Sequence, residues 1–121
     1  MRACIGVVLL FAGCAEVDSD SACDREPTLT YENFGQGFMD QYCNGCHSSL
    51  VPAPYRNDAP ESVNFDTYAA VIAQRERISV RTDSLEPTMP PGGGPTTEEL
   101  EVLHEWLSCA VAEDAAALGE E

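Results

Sequence analysis

The sequence predicts a small all-α domain. Three segments carry apolar side chains at helical spacing, and the stretches between them are broken by Pro and Gly without periodicity. A length of 121 residues suffices for one small domain and not two. The first segment sets Tyr31, Phe34, Gly35, Phe38, Met39 and Tyr42 on one face. The second sets Tyr68, Val71, Ile72 and Ile78, and the third sets Val102, Leu103, Trp106, Leu107 and Ala110, with Leu100 at the margin.

Met1-Arg2 precedes the apolar run Ile5 to Ala12, which is too short to span a bilayer and reads as a bacterial export signal over residues 1–13. Its end, Gly13-Cys14, resembles a lipoprotein signal, so Cys14 is the expected lipidation site. The expected location is then the periplasmic or cell-envelope side of a bacterial membrane, with attachment through a lipid anchor. Residues 14–27 are small and acidic and read as a tether, with order beginning near Thr28.

The first helix delivers the chain to Cys43-Asn44-Gly45-Cys46-His47. C-x-x-C-H is the spacing of covalent haem attachment: two thiols add across the vinyl groups of one porphyrin and the adjacent imidazole becomes an iron ligand. The competing reading is a thiol-redox or metal-binding module using Cys43 and Cys46; a zinc site would need four ligands, and no second Cys/His pair is present. Gly35 and Gly37 each cost about 1 kcal/mol of helix propensity, so at least one should allow another helix, through Trp106, to approach closely.

Residues 48–63 form a loop bearing Pro52, Pro54 and Pro60, from which a carbonyl is expected to orient His47. Asn64 or Asp66 is expected to cap a second helix near residues 67–80. Arg75, Arg77 and Arg81 cluster there, and Arg77 and Arg81 are candidate partners for haem propionates. The stiff loop Glu86-Pro87-Thr88-Met89-Pro90-Pro91 offers Met89 as a second iron ligand; Met39 belongs to the first helix's packing face and His104 to a half-exposed margin of the last helix.

Thr96-Thr97-Glu98-Glu99 is a capping-box start for the last helix. After Ala112 the segment 113–121 reads as an acidic tail that frays. Of the six Cys, Cys4 leaves with the signal, Cys14 takes lipid, and Cys43 and Cys46 take haem, which leaves Cys23 and Cys109 as a disulfide pair in an oxidising compartment or as two unpaired thiols. Six Lys and Arg, all of them Arg, stand against 21 Asp and Glu for a formal charge of −15. Such a surface repels nucleic acid and steers toward a redox protein with a basic docking face.

Tyr31 to His47, Met89-Pro90-Pro91 and Leu103-x-x-Trp106-Leu107 together resemble a class I mono-haem c-type cytochrome over roughly residues 28–112. The resemblance implies N- and C-terminal helices crossing over one covalently bound haem c per chain. Cys43 and Cys46 become its thioether anchors, His47 the proximal ligand and Met89 the distal one. It implies an electron carrier rather than an enzyme, with a haem subunit or a sensor or enzyme with an open sixth site as alternatives. The family commonly has an aromatic residue four positions before the first haem Cys; here that position is Met39, with Phe38 beside it.

Overall fold

The computed structural model describes residues 23–119; the export signal, Cys14 and residues 15–22 of the acidic segment lie outside them. Among the described residues the structure is all-helical, with no strand. No helix of the described residues is long and apolar enough to cross a membrane.

A π-helical turn over Tyr31–Gly35 runs directly into helix α1 (Gln36–Tyr42). Its start is a reciprocal cap: Asn33 N–H donates to Thr30 Oγ1 (3.1 Å), and Thr30 N–H donates to Asn33 Oδ1 (2.7 Å). The apolar face runs on through the buried Phe38 and Met39. Helix α2 (Tyr68–Arg81) buries Val71, Ile72 and Ile78.

Neither Asn64 nor Asp66 caps α2. Thr67 does, accepting from Ala70 N–H at 3.2 Å. The two residues expected at the cap are engaged in the loop after His47, where they make tertiary hydrogen bonds instead.

Helix α3 (Thr97–Trp106) begins with the capping box of Thr96 and Glu99. A second π-helical turn, Leu107–Val111, leads into helix α4 (Ala112–Leu118), which Gly119 ends in the left-handed conformation (φ 75°). Residues 113–118 are therefore helix rather than a frayed tail, and Ala115 is wholly buried. The wide turn re-phases the helix, so that Val111 and Ala115 fall in line with Leu103 and Leu107 against the core. Leu100, expected at the margin, is in that core as well.

Trp106 is the hub. It is fully buried, and its ring centroid lies 5.8 Å from Phe34, 6.1 Å from Tyr68 and 6.4 Å from Tyr31. A Cβ on Gly35 would lie 2.2 Å from Trp106 Cζ2, so the absence of a side chain at 35 is what lets the first helix seat on the last. At Gly37 a Cβ would meet nothing within 4 Å.

Cys23 and Cys109 are disulfide-bonded with Cα atoms 5.7 Å apart. Arg25 donates from Nε and Nη2 to the two carboxylate oxygens of Glu105, at 2.6 and 2.7 Å. Residues 23–25 of the segment assigned as tether are thus fastened to the last helix, upstream of Thr28.

Candidate functional site

Helix α1 ends by handing Cys43 to a tight turn. Cys43 N–H and Asn44 N–H both donate to Met39 O, and the Cys43 carbonyl then accepts from Cys46 N–H (3.1 Å) and His47 N–H (2.9 Å). The turn curls back on itself, so the three chemically active side chains of the motif issue from one short arc.

His47 is oriented by two contacts. Its Nδ1 lies 3.0 Å from Val63 O, and its ring sits 5.0 Å from that of Phe65. A carbonyl only accepts, so Nδ1 carries the proton and Nε2 keeps the lone pair a metal ligand needs. The sequence pointed to a carbonyl of the Pro-bearing loop; the structure identifies Val63, whose position is fixed by the loop around it.

That loop is organised by residues the sequence did not single out for this work. Asp66 accepts from the Ser48 hydroxyl (2.5 Å) and from Ser49 N–H (2.9 Å); these two bonds, the hydroxyl foremost, hold its carboxyl below the usual range. Arg56 is buried within the loop and donates to the carbonyl oxygens of Ala59, Pro60 and Val63, to that of Ser48, and to Asn64 Oδ1. The one signal in the sequence was an isolated Arg in an apolar, Pro-rich stretch.

The motif opens onto a cavity of about 350 Å³. Cys43, Cys46, His47 and Met89 all line it, with Phe38, Val63, Phe65, Ile78 and Pro90 among its apolar walls. Arg77 and Arg81 line it too, and both remain exposed. Its size falls within the range of small-molecule sites. Met89 is held there by its backbone, since Thr88 N–H and Met89 N–H both donate to Arg81 O at 2.9 Å.

The other candidates are placed elsewhere. Met39 is fully buried in the core. His104 Nε2 is 2.9 Å from Thr82 O, so it donates there and its lone pair is on Nδ1, away from that contact. Arg75 reaches toward Ile72 O (3.5 Å) and Glu76 (3.8 Å). Burial pushes the Cys43 thiol up to about 12.

Two thiols, a ring nitrogen and a thioether thus converge on one cavity, a donor set suited to a covalently attached iron porphyrin. Among the described residues no group of three or more His, Cys, Asp and Glu is placed to hold a metal ion. No protein-family model matches the chain, and neither the curated proteins nor the solved structures give a significant match.

Proposed function

We propose that the chain is an exported electron carrier in which Cys43 and Cys46 would hold one haem c and His47 and Met89 would supply its two protein iron ligands. The observation that carries this reading is the convergence of those four side chains on one largely apolar cavity, with His47 already turned so that Nε2 is the available nitrogen. The prosthetic group supplies a one-electron ferric/ferrous couple when bound. The residues do the rest. Cys43 and Cys46 would anchor the group by adding their S–H across its vinyl groups, the Val63 carbonyl holds the imidazole in one tautomer, and the Met89 thioether, neutral and soft, would favour the ferrous state.

Arg77 and Arg81, exposed at the cavity, are the cations that could pair with the haem's propionates. The apolar walls would keep much of the group's surface from water and so limit reorganisation on electron transfer. The seating of the first helix on the last at Gly35 and Trp106 supports a class I mono-haem c-type cytochrome fold for the domain. The acidic surface favours a redox partner with a basic docking face, and Cys14 is the proposed lipid anchor on the envelope side of the membrane.

A thiol oxidoreductase is the second reading, and it meets a specific obstacle. Such chemistry runs through a thiolate of lowered pKa, whereas the Cys43 thiol is raised to about 12 by burial.

The test is production of the full chain in a host equipped for cytochrome maturation, followed by denaturation and mass measurement. Coloured protein whose haem stays with the chain is expected, and replacing Cys43 and Cys46 by Ser should release it. Colourless protein with the mass of its amino acids plus any lipid would end the proposal.

A further inference from the structure

Arg56 is 3% exposed, and among the described residues no carboxylate comes within 4.0 Å of its guanidinium. Its nitrogens reach four backbone carbonyls and Asn64 Oδ1, with the two N–H groups of Nη2 shared among Pro60 O, Val63 O and Asn64 Oδ1. A buried cation without a counter-charge is expensive, and a guanidinium stays charged in any protein setting. Closing a loop does not by itself require that charge. Its position is informative: Arg56 Nη2 donates to Val63 O at 3.1 Å, and the same oxygen accepts from His47 Nδ1 at 3.0 Å.

We propose that Arg56 is a positioning residue that raises the reduction potential of the site by sharing the Val63 carbonyl with His47. The inference rests on the haem reading above and concerns how this chain sets the electron affinity of that site. Two effects act with the same sign. A carbonyl already polarised by a guanidinium is a poorer acceptor, so it draws less on the His47 N–H and leaves the imidazole a weaker electron donor. A fixed positive charge behind the ligand also opposes the additional positive charge of the oxidised state. Both favour reduction. Neither works through direct contact with the ligand, because Arg56 does not line the cavity.

The experiment is spectroelectrochemical titration of the haem-loaded full chain as wild type, Arg56→Gln, Arg56→Lys and Asn64→Asp. Arg56→Gln removes the charge and is expected to lower the equilibrium constant for reduction about tenfold, which is 59 mV for a one-electron couple. Arg56→Lys keeps a charge but not the fork, and should retain more than half of that difference. Asn64→Asp sets a carboxylate against Nη2, now 2.8 Å from Asn64 Oδ1, and should lower the potential while Arg56 itself is intact.

An unchanged potential in Arg56→Gln, or equal falls in Arg56→Gln and Arg56→Lys, would overturn the proposal. If Arg56→Gln does not fold with its haem, Asn64→Asp decides: a fall supports the proposal and no change overturns it. Wild-type protein without attached haem would instead remove the reading underneath. Wild-type protein that carries haem, with flat potentials across the variants, would remove this inference alone.

Discussion

The indole of Trp106 occupies the space where a side chain on residue 35 would begin, with Cζ2 at 2.2 Å and Cη2 at 2.4 Å from the Cβ position of Gly35. Gly35→Ala gains about 1 kcal/mol of helix propensity but drives a methyl group into a ring with no exposed surface to move toward. Overpacking of this kind typically costs about 1–3 kcal/mol, and at this distance it outweighs the propensity gain. Gly37→Ala meets nothing and keeps the gain, up to about 1 kcal/mol. Thermal unfolding of the two variants should therefore move in opposite directions from wild type; a rise for both would show that the indole can yield.

The Cys23–Cys109 bond joins residues 86 apart in sequence. In the chain-entropy account a loop of that length restricts the unfolded state enough to stabilise by about 4–5 kcal/mol. Reducing the disulfide, or replacing Cys109 by Ser, should lower the urea midpoint accordingly. Arg25→Ala should have a much smaller effect, because its pair with Glu105 is largely solvated. Equal losses from the two changes would mean that the ion pair, and not the covalent link, fastens residues 23–25.

Short-range rules made much of this fold legible. The face from Tyr31 to Tyr42, the buried set Val71, Ile72 and Ile78, and the Thr96 to Glu99 cap all depend on residues within a turn or two of each other. What escaped depends on distant partners. Asp66 has the chemistry of a helix cap, but Ser48 and Ser49 claim its oxygens and leave the cap to Thr67. The tail composition of residues 113–118 is acidic and small, yet Asp114 accepts from the Tyr68 hydroxyl and Ala115 packs inside, because a wide turn had re-phased the helix. At the site, spacing and loop chemistry singled out Cys43, Cys46, His47 and Met89, and all four line one cavity. The Val63 carbonyl and Arg56 were not singled out, since nothing local marks which of the loop's carbonyls will face the imidazole.

Two carboxylates tie the site's frame to pH. Glu99 is held below the ordinary range chiefly by the Thr96 N–H and then by the Tyr42 hydroxyl, which donates at 2.9 Å; Asp66 is held down by Ser48 and Ser49. In each case the folded pKa lies below the unfolded one, so as pH falls the unfolded chain takes up protons first. The stabilisation is complete above the unfolded carboxylate range, near about 4, and is lost as pH drops through the lower folded values. Denaturant midpoints of the wild type should fall steeply on that limb. Glu99→Gln and Asp66→Asn should start lower at neutral pH and decline less; slopes parallel to wild type would exclude these two groups as the source.

Met89 tests the site itself. Its backbone is fixed by the Arg81 carbonyl and not by its side chain, so Met89→Ala should leave the loop and the fold in place. On the proposed haem reading, losing the thioether would remove the ligand that favours the ferrous state, and the equilibrium constant for reduction should fall at least about tenfold, or 59 mV. Carbon monoxide and cyanide should bind slowly or weakly to the haem-loaded wild type and quickly and tightly to the variant. His104→Ala is the control: His104 is committed to Thr82, so that change should lower stability and leave the spectrum alone. An unaltered spectrum and potential in Met89→Ala would exclude Met89 as ligand. A spectral change in His104→Ala would require the last helix to turn its imidazole away from Thr82 and into the cavity.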